Sequence, residues 1–341
     1  MDLGSLLEWT IKSAVLLLAL TGGFAYVTLY ERKVLSRLQV RIGPNRAGPY
    51  GLLQPVADGI KLIFKEELIP ANAHKLIFVL APVITVLPAL TITAVIPWGG
   101  TINLFGRPVS LSLADINVGM LYITAIASIA VYGITLAGWS SDNKYAMLGG
   151  LRASAQMISY ELALGLAFVT PVMLAGSMRV SDIIQAQVQN GFLGWIGYLL
   201  AQPLAPFIFM IASLAVVNRS PFDMPEAEQE LTAGYHTEYS GMKFALFFMA
   251  EYIKMIAVSM IGATLFFGGY YGPFVEQFPI LGPVYLFLKV TALLFGMIWI
   301  RATLPRIRYD RLMVFGWKGL LPAGLFNVLF TAVVILVLGG M

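Results

Sequence analysis

The 341-residue chain has no cysteine. Thiolate-held zinc, haem attached through cysteine and iron–sulfur clusters bound by this chain are excluded. Disulfides are excluded too, so they say nothing about compartment. Histidine is nearly missing: His74 and His236 are the only two, far apart in sequence. No G-x-G-x-x-G and no Walker sequence occurs, so nucleotide binding by this chain is not expected. Redox chemistry would need cofactors on another chain, or a diffusible carrier. Charge is scarce, at 12% of residues, where a soluble domain carries about 25%. With 58% hydrophobic residues, the chain reads as an integral membrane protein. Asp2 and Glu8 precede the first apolar run without a basic segment, so no cleavable leader is expected.

A span needs about 20 predominantly apolar residues. Eight segments qualify, at about 10–30, 75–97, 113–138, 153–176, 196–217, 243–269, 281–303 and 319–339. The expected fold is an all-α integral membrane protein, one membrane domain over 1–341, with both termini on one side. The net charge of +4 is mild but unevenly placed. Of the 22 Lys and Arg, seventeen fall after spans one, three, five and seven, and only Lys12, Arg107 and Arg179 fall on the other side. That asymmetry predicts cytoplasmic odd-numbered loops and termini on the outer, periplasmic side. It points to orientation in a bilayer, not to nucleic-acid binding.

In the first cytoplasmic loop, Gly43 to Gly51 holds three glycines and two prolines, a stiff, turn-rich strip. Residues 52–67 read as a helix too short and too polar to span. Gln54, Asp58, Lys61 and Lys65 form a polar stripe opposite Leu53, Val56, Ala57, Ile60, Ile63 and Phe64. This pattern predicts a helix lying in the cytoplasmic interface, either a plain anchor or part of a site. The basic stretch Arg301 to Arg311 is open to three readings: a topology signal, a lipid-headgroup contact or an acidic partner's dock.

The cytoplasmic loop of about 218–242 concentrates acids. Asp223, Glu226, Glu228, Glu230 and Glu238 are five of only 18 in the chain. Two readings stand. Acids after Pro225, with Gly234 as a stop, fit a solvated, well-capped helix. A dense acidic cluster between two spans also fits a place where protons, cations or a charged partner are handled. Further charges lie inside spans: Glu161 in the fourth, Glu251 and Lys254 in the sixth, and Lys289 in the seventh, while Glu31 closes the first. Each costs about 2.5–3.5 kcal/mol if it faces lipid. They must face one another, a neighbouring subunit or water. Lys254, three residues after Glu251, is positioned to pair with it. Paired glue between helices and a string of protonatable groups are both consistent with this pattern.

Several motifs together resemble a known family. They are Glu31-Arg32-Lys33, Gln39 to Arg46 (QVRIGPNR), Gly51 to Asp58 (GLLQPVAD), Ser159-Tyr160-Glu161, Pro221 to Glu228 (PFDMPEAE) and Ile300 to Arg306 (IRATLPR). In order and over essentially the whole chain, they resemble the quinone-site membrane subunit of respiratory complex I in its bacterial form. That complex is the proton-translocating NADH:quinone oxidoreductase. The resemblance implies a subunit without a redox centre of its own, working in the bacterial inner membrane. NADH, FMN and iron–sulfur clusters would sit on other subunits, and quinone, ubiquinone or menaquinone, would be the substrate. The implied partners are the hydrogenase-like large subunit, the terminal iron–sulfur subunit and small membrane-arm subunits.

Matched motif by motif, Arg32, Arg41, Asp58, Lys61, Arg219, Phe222, Arg301 and Arg306 would surround the quinone cavity. Glu31, Glu161, Asp223, Glu226, Glu228, Glu230, Glu238 and Glu251 would form an acidic path for coupling. No metal ligand and no catalytic group is implied here. Two positions depart from the family: Ser128, where some relatives carry Glu, and Val216, where many do. The alternative is the membrane anchor subunit of a related membrane-bound hydrogenase. A stand-alone transporter fits less well, since the halves show no internal repeat.

Overall fold

A computed structural model of the chain describes residues 3–104, 107–189, 198–199, 202–225 and 232–339. It is built of helices, in the order α1 Leu3–Leu38, α2 Gln54–Ile63, α3 Lys75–Ile92, α4 Gly119–Ser140, α5 Lys144–Ala175, α6 Val180–Val188, α7 Leu204–Val216, α8 Gly241–Phe266, α9 Leu281–Thr303, α10 Tyr309–Phe315 and α11 Leu321–Gly339. The one addition to the expected all-α class, among the described residues, is a small antiparallel hairpin between α3 and α4. Its strands are β1 Thr101–Leu104 and β2 Arg107–Ser110, with Thr101 opposite Ser110. Lys12 ties it to α1, its Nζ approaching Ser110 Oγ at 3.5 Å and Ser112 O at 3.4 Å.

Seven helical stretches among the described residues are long and apolar enough to cross a membrane. The last runs through α10, a widened π-turn over Gly316–Leu320 and α11. The expected fifth span corresponds to α7, whose 13 residues measure about 20 Å, with residues 190–197 and 200–201 outside the described ones. The expected fourth span, α5, starts at Lys144, upstream of the expected 153, because Asn143 caps it by accepting from the Tyr145 N–H at 2.9 Å.

Helix α8 is the axis of the molecule. Every residue from Tyr252 to Phe266 is buried, so it is wrapped by protein on all sides. It packs on α3, α9 and α1, while α4 bridges α3 and α5, and α5 carries α7 and α11. Close approach depends on small residues, as expected where apolar burial alone cannot hold helices together. A Cβ on Gly133 of α4 would fall 2.1 Å from Thr85 Oγ1 of α3. The outer helices turn apolar side chains outward, among them Leu18, Phe287 and Leu336.

The helix expected over 52–67 is shorter, α2, and its faces are sorted. Val56, Ile60 and Ile63 point outward, whereas Gln54 and Asp58 turn toward α1. The preceding strip is stiff for a specific reason. Gly51 has φ +75°, and a Cβ there would lie 2.2 Å from Pro44 O. Lys33 Nζ donates to Tyr50 O at 2.5 Å and fastens the strip to α1.

Candidate functional site

The acidic loop begins where α7 stops. Asn218 adopts φ 59°, a left-handed conformation that asparagine tolerates better than most residues, and this turns the chain back. Gln156 of α5, fully buried, holds the turn. Its Nε2 donates to Ala215 O at 2.8 Å and Phe222 O at 2.7 Å, with Asn218 Oδ1 at 3.3 Å. On the other side, Ile307 N donates to Pro221 O at 3.1 Å, joining the loop to the segment after α9.

This clamp delivers Arg219 into the protein interior. Its Nη1 and Nη2 donate to the two oxygens of Glu31 at 3.3 and 3.2 Å, a forked pair. Its Nε lies 2.7 Å from Glu251 Oε1, an ionic contact rather than an aligned hydrogen bond. The guanidinium carbon sits 4.5 Å from the ring centroid of Tyr252. Arg301 of α9 also contacts Glu31 through Nη1. Asp223 and Lys254 both act electrostatically on Glu251. Lys254 is in turn coupled to Glu161 of α5. Glu31, Glu251, Arg219 and Arg301 are thus joined by direct ion pairs, with Asp223, Lys254 and Glu161 within electrostatic reach.

Two sequence expectations are corrected here. The ion pair of Glu251 is made with Arg219 from the loop, while Lys254 on its own helix acts electrostatically on both Glu251 and Glu161. Lys289 faces no acid among the described residues. Its Nζ donates to Phe267 O, Gly269 O and Tyr271 O at 2.6, 2.9 and 2.6 Å, carbonyls of the turn that follows α8.

The residues expected around a cavity divide. Arg32, Asp58 and Lys61 line one cavity of about 340 Å³ between α1, α2 and α8. Its walls include Phe24, Met242, Phe244, Phe248 and Met249. Arg32 Nη1 donates to Asp58 Oδ2 at 2.6 Å, and Gln54 Nε2 donates to Asp58 Oδ1 at 3.1 Å. Arg219 and Arg301 belong to the acidic cluster instead. Phe222 is core, its ring 5.6 Å from Tyr160. Arg306 Nη2 approaches Met224 Sδ at 3.4 Å, and Arg41 is exposed, donating to Gln39 Oε1 at 2.7 Å.

The acids expected along a path divide as well. Glu31, Asp223, Glu251 and Glu161 are brought together. Glu238 is held elsewhere, accepting from Asn143 Nδ2 at 2.6 Å at the start of α5. Glu226, Glu228 and Glu230 lie outside the described residues. Ser128, whose Oγ donates to Thr124 O at 3.1 Å, and Glu161 both line a groove of about 600 Å³ between α4, α5 and α11.

The far end of the loop is pinned by aromatics. Tyr239 stacks on Phe78 with ring centroids 4.0 Å apart and donates to Phe78 O at 3.2 Å. Burial pushes its hydroxyl up to about 12, against a smaller opposite effect from Ser140. Beside it, burial lowers His236 to about 4, so this imidazole is neutral at physiological pH. Sequence reasoning singled out neither Tyr239 nor Gln156. Polar residues in apolar surroundings were the available signal.

Comparison of the sequence with known proteins places the chain in a family. A family profile described as NADH dehydrogenase covers residues 11–332. A protein of Thermomicrobium roseum, named as the H subunit of NADH-quinone oxidoreductase, is 51% identical over 340 residues, covering 98% of each chain. Its namesake in Protochlamydia amoebophila is 52% identical over 308 residues, covering 90% of this chain and 91% of its own. Another namesake, in Syntrophotalea carbinolica, is 51% identical over 308 residues, 90% of each chain. Similarity of this extent, end to end, makes the chain a member of the NADH dehydrogenase family represented by the H subunits of NADH-quinone oxidoreductase.

Proposed function

We propose that this chain forms the floor and membrane entrance of the quinone cavity in a proton-translocating NADH:quinone oxidoreductase, and couples quinone reduction to proton movement through its buried carboxylates. One observation carries the reading. The cavity lined by Arg32, Asp58 and Lys61 and the cluster built on Glu31 share the same end of α1, since Glu31 and Arg32 are consecutive. A quinone has an apolar isoprenoid tail and a head that takes up protons when reduced. An aromatic and methionine-lined mouth suits the tail, and an Arg–Asp pair with a lysine suits the head. A change of charge at Arg32 is felt one residue away at Glu31, and from there through Arg219 to Glu251, Lys254 and Glu161.

In this account the chain crosses the bilayer eight times, α7 completing the fifth crossing, with its termini outside and the acidic loop in the cytoplasm. In the assembled complex Glu226, Glu228, Glu230 and Glu238 take part in the coupling and Arg41 and Arg306 belong to the cavity's rim, while Phe222, in the core, supports the loop that carries the acids. The hydrogenase-like large subunit and the terminal iron–sulfur subunit close the cavity from above. Electrons arrive through the FMN and iron–sulfur clusters of those and other subunits. This chain supplies position, shape and proton-exchanging groups. The names of its relatives favour this reading over a hydrogenase anchor.

A quinone carrying a photoactivatable tail tests the proposal in the assembled complex. Labelling is expected on residues 24–32, 55–63 and 242–249. Labelling confined to other subunits, or to other helices of this chain, would overturn it.

A further inference from the structure

The strongest feature that the proposed function does not absorb lies at the start of the last membrane helix. Arg311, Val314, Phe315 and Lys318 follow one another at helical steps of three, one and three, so they share one face across two turns. All four are exposed, and all four line one open pocket of about 450 Å³ together with Asp310 and Gly319. The face is apolar in its middle and cationic at both ends. Neither Arg311 nor Lys318 makes an ion pair among the described residues. The one acid on the rim, Asp310, is engaged by Arg308, whose Nε lies 3.0 Å from Oδ2. Trp317, half exposed, stands next to this face with its Nε1 donating to Ser159 Oγ at 3.2 Å, so its ring is fixed at that level.

We infer that this face is a binding site for an anionic phospholipid, with the headgroup phosphate held by Arg311 and Lys318 and an acyl chain laid over Val314 and Phe315. The inference rests on the stretch Tyr309–Val337 crossing a bilayer, not on the quinone cavity. A tryptophan ring beside a lysine marks the membrane–water interface, where the long lysine stem lies along apolar surface and its amine reaches the headgroups. Seven residues separate the two cations, a rise of about 10.5 Å, which lysine's reach shortens. The widened turn over Gly316–Leu320 sits beside the open pocket, and the Phe315 ring lies over Gly319, where it offers an apolar surface to a chain. An acidic protein segment would satisfy the cations equally well. It would have no use for exposed valine and phenylalanine between them at membrane depth, whereas a lipid uses both.

The test uses the intact complex in its native membrane and two photoactivatable probes, a phosphatidylglycerol and a phosphatidylcholine. Each basic group near an anionic headgroup is worth roughly fivefold, so the peptide 309–320 should label roughly 25-fold better with the phosphatidylglycerol probe. Arg311→Gln with Lys318→Gln should bring the two probes to parity there, leaving labelling elsewhere unchanged. Equal labelling by both probes in the wild type would mean ordinary annular lipid and would overturn the inference. Cross-linking of this peptide to a neighbouring subunit, in place of lipid, would overturn it as well. If the double variant does not assemble, competition in the wild type decides. Unlabelled phosphatidylglycerol must displace the anionic probe and phosphatidylcholine must not; equal displacement by the two lipids would refute the site.

Discussion

Arg219 ties two buried carboxylates from different helices to one loop, and its removal would leave Glu251 without its ion-pair partner and Glu31 with Arg301 alone. Breaking a buried pair in this way costs about 3–5 kcal/mol. Arg219→Ala is therefore expected to reduce assembled complex on native gels by about tenfold or more. Arg219→Lys, which keeps charge but loses the fork, should fall between; a normal yield of the Ala variant would contradict the pairing. His236 gives a pH dependence whose sign follows from burial. Its folded value of about 4 lies below the ordinary 6.5, so the unfolded segment takes up a proton first. Stability of the loop end is then complete above about pH 6.5 and drains away as pH falls toward 4. Hydrogen exchange at residues 232–239, corrected for intrinsic rate, should rise between about pH 6.5 and 5 and lose that rise in His236→Gln. At this scale the charged residues were legible, because a carboxylate in an apolar run stands out. Their partners were not: Arg219 meets Glu31 across 188 residues, and no local spacing encodes that contact.

Helix contacts depend on what is missing from them. Gly133→Leu would drive a side chain into Thr85 and the backbone of α3, so α3 and α4 would separate. Overpacking of this kind costs about 1–3 kcal/mol or more, and a sharply lower thermal midpoint of the purified complex is expected. Gln156→Leu keeps the volume of the clamp but leaves Phe222 O without its donor, while Ala215 O keeps the Asn218 N–H. An unsatisfied buried group costs about 1–3 kcal/mol, and faster proteolysis near 218–225 should report it. The long helices could be read from apolar length alone, and their centres agree with the seven stretches observed. Ends were harder, because caps such as Asn143 act over one or two residues. The amphipathic pattern of α2 announced a helix on the surface but not that its polar stripe would serve as one wall of a cavity.

The molecule is a helical scaffold around α8, with an apolar-walled cavity and an ion-paired cluster on Glu31 at the same end of α1. Ser128 and Val216 supply no carboxyl, so Glu161 and Glu251 bear the coupling in this account. Glu161 reaches the groove beside Ser128, at the side where a neighbouring subunit would continue the path. The family and the membrane class were legible from motifs and composition. The connection between cavity and cluster needed the fold, since it joins α1, α8, α9 and the loop after α7. The most direct test is proton translocation by proteoliposomes holding the complex with Glu161→Gln, measured alongside quinone reduction. The account predicts an assembled complex with both activities reduced several-fold or more. Wild-type reduction with fully coupled pumping would contradict it.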